Sequence, residues 1–170
     1  VRSSAPGAYA LERAKSHGVP GFAVPRKGCA QEEFEAGLTE KLTAYQADMI
    51  ILAGFLSILS ENFVKRWPNR ILNVHPSLIP AFCGKGYYGL RVHEEALRRG
   101  VKVTGATVHY VNEIPDGGEI LLQKAVEVLP GDTPELLQRR VMEQAEWVLL
   151  PQAAELTAQR LHQSKKGYAL

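Results

Sequence analysis

The decapeptide ILNVHPSLIP at residues 71–80 constrains the fold more than any other stretch of the chain. Its first half is an apolar run that predicts a buried strand, and the proline after His75 ends that strand. Because side chains alternate along a strand, Asn73 and His75 share one face while Val74 turns into the core. Open α/β sheets bind ligands at the carboxyl ends of their strands. The decapeptide therefore predicts a polar site at a strand end.

Predicted helices and strands alternate through the first hundred residues, a pattern typical of a mainly parallel sheet with helices on both faces. The predicted helices lie at 8–17, 32–45, 60–66 and 93–99, and the strands lie at 21–24, 49–53 and 71–75. Gly18 closes the first helix, and Ser60 is suited to cap the third. The unbroken apolar run at 49–53 is typical of a strand covered on both faces.

The second half of the chain predicts an antiparallel extension of the sheet. Two long strands at 101–111 and 119–128 flank the turn-rich segment 112–118. We therefore expect a Rossmann-like three-layer α/β domain that covers residues 1–170 as a single unit.

A long helix ends the predicted fold. Thr133 is suited to cap it and Pro134 to occupy its first position, since proline lacks the donor that this position leaves unused. We expect the helix to run to about residue 161 with a bend at Pro151. The polar segment 163–170 is expected to form a flexible tail.

The composition excludes several classes of function. With 20 basic and 18 acidic residues, the chain is close to neutral and has no basic stripe for nucleic acid. No apolar stretch approaches the ~18 residues of a membrane span, and no signal peptide is visible. Cys29 and Cys83 are too few for a disulfide framework, and no His, Cys or carboxylate spacing indicates a metal site. We expect a soluble cytoplasmic protein without a catalytic metal.

Asn73, His75 and Asp116 form a candidate catalytic group. Acyl transfer to an amine requires hydrogen-bond donors for the oxyanion, a group that moves the amine proton, and a charge that holds the protonation state of that group. Asn73 and charged His75 could stabilise the oxyanion, while Asp116 favours the charged imidazole and accepts or relays a proton. Taken singly, His75 could equally be a core histidine and Asp116 part of a tight turn.

Four stretches together resemble the folate-dependent formyltransferases, in particular those that act on glycinamide ribonucleotide in purine synthesis. They are ILAGFLSIL at 51–59, ILNVHPSLIP at 71–80, GATVHYV at 105–111 and PDGG at 115–118. The resemblance covers nearly the whole chain and implies the formyltransferase fold, with Asn73, His75 and Asp116 as the catalytic trio. It implies transfer of the formyl group from 10-formyltetrahydrofolate, the co-substrate, to the amino group of glycinamide ribonucleotide.

The same resemblance implies where the two substrates bind. The pterin would be held by the backbone of Leu56, Ser57, Ile58 and Leu59 and by the loop of Asn112, Glu113, Ile114 and Pro115. Its pocket would be lined by Phe55, Val64, Ile71 and Val111, which periodicity alone would assign to an ordinary core. The ribonucleotide would contact Val74, Pro76, His109 and Glu146. The spacing in the last helix differs by one residue from the family pattern, so Glu143 is the alternative to Glu146.

Two departures from the family pattern matter. Family members begin with a strand, a glycine-rich loop that holds the ribonucleotide phosphate and a helix, so we expect this chain to be truncated at its N-terminus. The segment AFCGKGYYG at 81–89 is longer than the common family version. Gly84, Lys85 and Gly86 in this segment could form a small anion nest, or the segment could be a flexible surface loop.

Alternative functions remain open at this point. Formyltetrahydrofolate deformylase resembles the chain in the same trio, with water in place of the amine. A non-catalytic fragment of the transferase is the third possibility. We expect His93 to have a structural role, small molecules to be the only partners, and the oligomeric state to be a monomer or a homodimer.

Overall fold

The computed structural model describes residues 1–3, 7–26 and 28–167. Contacts divide the chain into two units, Val1–Ala47 and Asp48–Leu170. The single domain expected from the sequence stays a prediction. None of the helices in the described ranges is long and apolar enough to cross a membrane.

Among its described residues, the first unit contains two short strands and two helices. These are β1 (Arg2–Ser3), α1 (Tyr9–Ser16), β2 (Phe22–Ala23) and α2 (Gln31–Ala44), and β1 pairs with β2 in parallel. Helix α1 ends before Gly18, which has a φ of +65° and so takes the left-handed conformation that stops a helix. Phe34 is buried, and the Arg2 guanidinium lies 4.5 Å from its ring centre. The elements expected at 8–45 are thus confirmed within one or two residues.

The second unit is built on a four-stranded sheet with the order β3-β4-β5-β6. Its strands are β3 (Ile50–Leu52), β4 (Ile71–His75), β5 (Val103–Tyr110) and β6 (Ile120–Glu127). Strands β3 and β4 are parallel, whereas β5 is antiparallel to both β4 and β6. The predicted antiparallel extension is therefore confirmed. Ile51 in β3 is exposed, so the expectation of a strand covered on both faces is wrong for the face that Ile51 occupies in the described structure.

Four helices accompany this sheet. They are α3 (Glu61–Val64), α4 (Leu90–Arg99), α5 (Pro134–Val141) and α6 (Trp147–Gly167), with a π-helical turn (Met142–Glu146) between the last two. The predicted caps are confirmed: the Ser60 hydroxyl accepts from the amide of Phe63, and the Thr133 hydroxyl accepts from the amide of Leu136.

The predicted single C-terminal helix needs two corrections. The α-helical hydrogen-bond pattern is interrupted at the π-helical turn, before α6 begins. Pro151 lies inside α6, and the bend expected there stays a prediction. A π-helical turn contains one extra residue, which interrupts the α-helical hydrogen-bond pattern. No residue type marks such a turn in the sequence. Helix α6 also continues through 163–167, where Lys165 pairs with Asp48 at 2.7 Å, so this part of the expected flexible tail is helical. The remainder of that tail, 168–170, lies outside the described residues.

The core of the second unit places β4 and β5 beneath the helices. Leu72 from β4 and Val108 from β5 are fully buried, and they belong to one cluster with Ala96 of α4 and Leu137 of α5. This packing fixes the backbone of β4, so the side chains at the end of that strand project from a rigid support.

Candidate active site

The end of β4 places the predicted polar residues as the alternation requires. Asn73 lies opposite His109 in the β4–β5 ladder, and His75 lies opposite Thr107. The Asn73 carboxamide nitrogen is 3.2 Å from His109 Nε2. His75 and His109 are both buried. Two imidazoles and a carboxamide therefore share one face of this pair of strands.

Asp116 completes the group from the loop between β5 and β6. One carboxylate oxygen lies 3.6 Å from His75 Nδ1 and accepts the Gly84 amide at 2.8 Å. The other oxygen lies 3.5 Å from His109 Nε2. The carboxylate thus bridges two imidazoles, and the predicted trio of Asn73, His75 and Asp116 converges in space.

Glycines allow the loop to bring Asp116 to this position. A Cβ at Gly118 would lie 1.7 Å from the carbonyl oxygen of Tyr110, and one at Gly117 would lie 2.6 Å from the Ile114 side chain. The Asn112 carboxamide braces the loop by donating to the Gly117 carbonyl at 3.1 Å and accepting the Ile114 amide at 3.0 Å. The close packing of this loop therefore requires the two glycines of the PDGG sequence.

Backbone carbonyls fix the proton positions on both imidazoles. A carbonyl oxygen only accepts, so His75 Nε2, at 2.8 Å from the Phe82 oxygen, carries a hydrogen. By the same reasoning His109 Nδ1, at 2.9 Å from the Tyr110 oxygen, carries a hydrogen. The remaining nitrogen of each ring faces Asp116, where a proton can be held or released.

The electrostatics of the site keep Asp116 ionised. Burial acts to raise the pKa of this carboxyl, but the hydrogen bonds from His109 and Gly84 and the charges of His75 and His109 outweigh it and lower the pKa. A carboxylate that is anionic at neutral pH can stabilise a charged imidazole and accept a proton from an attacking amine.

The two glutamates proposed for the substrate differ in their surroundings. Glu146 is partly buried in the π-helical turn, and burial raises its pKa to about 7. Glu143 is exposed. Glu146 therefore holds a proton more tightly than an exposed glutamate does, and the assignment of Glu146, or of Glu143, to the substrate stays a prediction.

The residues expected to hold the pterin are of two kinds. Leu56, Ile58 and Ile114 are exposed, although apolar side chains of this size are usually covered. In contrast, Val64 and Ile71 are buried in the folded chain. Their assignment to a folate pocket stays a prediction.

Two contacts to the trio were not among the predicted ones. They come from the segment 81–89, whose Phe82 carbonyl meets His75 and whose Gly84 amide meets Asp116. The glycine at position 84 was the available sequence signal, since a glycine often marks a close backbone approach, and in the structure Gly84 has a φ of +83°.

Comparisons with known proteins agree on one family. Residues 1–153 match the formyl transferase family. The chain is 38% identical over 164 residues to the chloroplastic phosphoribosylglycinamide formyltransferase of Arabidopsis thaliana, with 94% of this chain and 55% of that protein covered. It is 41% identical over 148 residues to the trifunctional purine biosynthetic protein adenosine-3 of Drosophila melanogaster, with 86% of this chain but 11% of that protein covered.

Solved structures give the same result. Glycinamide ribonucleotide transformylase 1 from Symbiobacterium toebii superimposes with a TM-score of 0.82 at 43% identity, with 90% of this chain and 70% of that chain covered. Phosphoribosylglycinamide formyltransferase from Anaplasma phagocytophilum gives a TM-score of 0.83 at 41% identity, with 94% and 72% covered. The fold class expected from the sequence is confirmed.

Proposed function

Because the chain belongs to the formyl transferase family, we propose that it transfers the formyl group of 10-formyltetrahydrofolate to the amino group of glycinamide ribonucleotide. The products would be formylglycinamide ribonucleotide and tetrahydrofolate, in purine biosynthesis. The observation that carries the proposal is the Asp116 carboxylate placed between His75 and His109, with Asn73 beside them. The names of the relatives in Arabidopsis and Symbiobacterium support the choice of acceptor.

The site offers each group that the reaction needs. The amine of the ribonucleotide attacks the formyl carbon, and negative charge develops on the formyl oxygen. The Asn73 amide has two N–H groups; one faces His109, and the second is available to that oxygen. Protonated His75 carries its second hydrogen on Nδ1, on the side of the ring that faces Asp116.

Proton transfer follows from the same arrangement. The attacking amine must lose a proton for the tetrahedral intermediate to collapse and release tetrahydrofolate. Ionised Asp116 can accept that proton or relay it through His75, at 3.6 Å, or His109, at 3.5 Å, and the proton is then delivered to the folate nitrogen as its bond to the formyl carbon breaks. Glu146 would then contact the ribose, and the loop 112–115 would contact the pterin.

The test is an assay of the purified chain with 10-formyltetrahydrofolate, in the presence and in the absence of glycinamide ribonucleotide. We expect formylated ribonucleotide and tetrahydrofolate in equal amounts, and no tetrahydrofolate without the ribonucleotide. Release of formate without the acceptor would instead show a deformylase. Folate binding in calorimetry without turnover would show a non-catalytic fragment, and either result would overturn the proposal.

Variants connect the activity to the trio. His75→Ala and Asp116→Asn should each lower kcat by at least ~10²-fold, because each removes a group that acts on the transition state. Asp48→Asn makes the same chemical change as Asp116→Asn at an exposed ion pair with Lys165, and it should leave kcat unchanged. A wild-type rate in Asp116→Asn would remove that carboxylate from the mechanism.

A further inference from the structure

The turn that follows β4 folds back onto the catalytic imidazole. Ser77 is fully buried, and its hydroxyl donates to the carbonyl of Ala81 at 2.5 Å and lies 3.4 Å from the carbonyl of Phe82. That Phe82 carbonyl accepts the hydrogen of His75 Nε2 at 2.8 Å. Phe82 has a φ of +50°, in the left-handed region, so this turn depends on contacts that hold it in place.

Thr107 holds the same turn from the neighbouring strand. It is fully buried and lies opposite His75 in the ladder. Its hydroxyl donates to the Ser77 carbonyl at 2.7 Å and accepts from the amide of Ile79 at 3.1 Å and from the Gln123 carboxamide at 2.9 Å. Two buried hydroxyls, on Ser77 and Thr107, thus fix the backbone that ends in the Phe82 carbonyl.

A fixed carbonyl beside a histidine selects one tautomer. Neutral imidazole carries one hydrogen, and the Phe82 oxygen favours the form with that hydrogen on Nε2. The lone pair is then on Nδ1, which faces Asp116. If the turn relaxed, the hydrogen could move to Nδ1, where the Asp116 carboxylate would bind it, and the lone pair would face away from the site.

We propose that Ser77 and Thr107 are positioning residues that lock His75 in the Nε2–H tautomer, so that its exchangeable proton is bound and released at Nδ1, beside Asp116. We call this preference for one tautomer the lock. It is a property of the His75 ring, and its effect on turnover rests on the proposed formyl transfer. The same turn holds the second partner as well, since the Gly84 amide donates to the Asp116 carboxylate at 2.8 Å.

Nitrogen-15 NMR of the His75 ring measures the lock directly in the full chain. At a pH where His75 is neutral, wild type should show one dominant tautomer with the hydrogen on Nε2. Losing a hydrogen bond that fixes the turn should change the tautomer ratio by about 5- to 10-fold in Ser77→Ala and in Thr107→Val. Thr107→Ser keeps the hydroxyl and should restore the wild-type ratio.

Thr104 provides a matched control on the same strand. It is buried, and its hydroxyl has no hydrogen-bond partner among the residues that the structure describes. Thr104→Val therefore makes the same chemical change as Thr107→Val without touching the turn. We expect the Thr104→Val tautomer ratio to match wild type. An equal change in Thr104→Val and Thr107→Val would overturn the lock.

Kinetics test the consequence for the reaction. Ser77→Ala should lower kcat by about 5- to 10-fold, keep KM within about twofold, and alter the pH profile of kcat. An unchanged tautomer ratio in folded Ser77→Ala refutes the lock, whatever reaction the protein catalyses. A locked wild type that fails to transfer formyl would defeat the proposed function and leave the lock standing. If Ser77→Ala does not fold, the Thr107→Val and Thr107→Ser pair decides the question.

Discussion

Two ionisable groups, the buried His93 and the partly buried Glu146, should make opposite contributions to stability between pH 5 and pH 7. His93 in α4 is fully buried, and both its ring nitrogens lack a hydrogen-bond partner within the described part of the chain. Burial, with a smaller effect of the charge on His75, lowers the pKa of His93 from 6.5 to about 4. In contrast, burial raises the pKa of Glu146 from 4.5 to about 7.

For His93 the unfolded chain binds the proton more tightly than the folded chain. Its contribution to stability is therefore present above pH 6.5 and is lost as the pH falls through about 4. At about 1.4 kcal/mol for each tenfold difference in proton affinity, lowering the pH from 7 to 5 removes about 2 kcal/mol of unfolding free energy.

For Glu146 the folded chain binds the proton more tightly. Its contribution is present below pH 4.5 and is lost as the pH rises through about 7. Lowering the pH from 7 to 5 therefore adds about 2 kcal/mol to the unfolding free energy. The lowered pKa of Asp116 acts at more acidic pH, so it leaves this window unaffected. In wild type the contributions of His93 and Glu146 should nearly cancel.

Urea unfolding at pH 5, 6 and 7 measures the effect. His93→Leu replaces a buried ring without hydrogen bonds by an apolar side chain of similar size, and its unfolding free energy should rise by about 2 kcal/mol from pH 7 to pH 5 relative to wild type. The unfolding free energy of Glu146→Gln should fall by a similar amount over the same pH range. The double variant should show the same dependence of unfolding free energy on pH as wild type. His162→Asn, at an exposed site, is the control. A His93→Leu slope equal to that of wild type would refute the reasoning.

Two further substitutions test the packing that positions the site. Gly118→Ala places a Cβ against a carbonyl oxygen of β5, so the loop must move; we expect a loss of about 1–3 kcal/mol in urea unfolding and a lower kcat as Asp116 shifts. Gly7→Ala, with open space around it, should change stability by less than about 0.5 kcal/mol. Leu137→Ala, in the core, should cost about 2–5 kcal/mol by the same measurement. Its exposed neighbour gives the control, since Leu136→Ala should cost under about 0.5 kcal/mol.

The features of the fold that could be predicted are those that depend on residues close together in the sequence. The alternation of residues 71–75 placed Asn73 and His75 on one face, and the ladder between β4 and β5 agrees. The caps at Ser60 and Thr133 follow from a hydroxyl one residue before a helix, and both hydrogen bonds are present. Such features depend on a few neighbouring residues, so periodicity and side-chain type are enough to find them.

Features that depend on tertiary packing were harder to predict. Ile51 belongs to an apolar run typical of a strand covered on both faces, yet its exposure depends on what packs against its face of β3. His93 carries the same side chain as exposed His162, and its burial depends on the packing of α4. The π-helical turn at Met142–Glu146 likewise has no residue type that marks it in the sequence. Pro151 is such a marker, yet it lies within helix α6.

The segment 81–89 shows that a sequence motif identifies the reactive side chains of a site but does not identify the backbone groups that orient them. Asn73, His75 and Asp116 were found because their side chains carry the chemistry. The groups that hold His75 and Asp116 are the Phe82 carbonyl and the Gly84 amide, which belong to the backbone and occur in nearly every residue. Only their placement is special, and we infer that it depends on Ser77 and Thr107, whose buried hydroxyls donate to backbone carbonyls of the turn at 77–82. A search for reactive side chains passes over such residues, so the effect of their substitution on the His75 tautomer is the measurement that can reveal them.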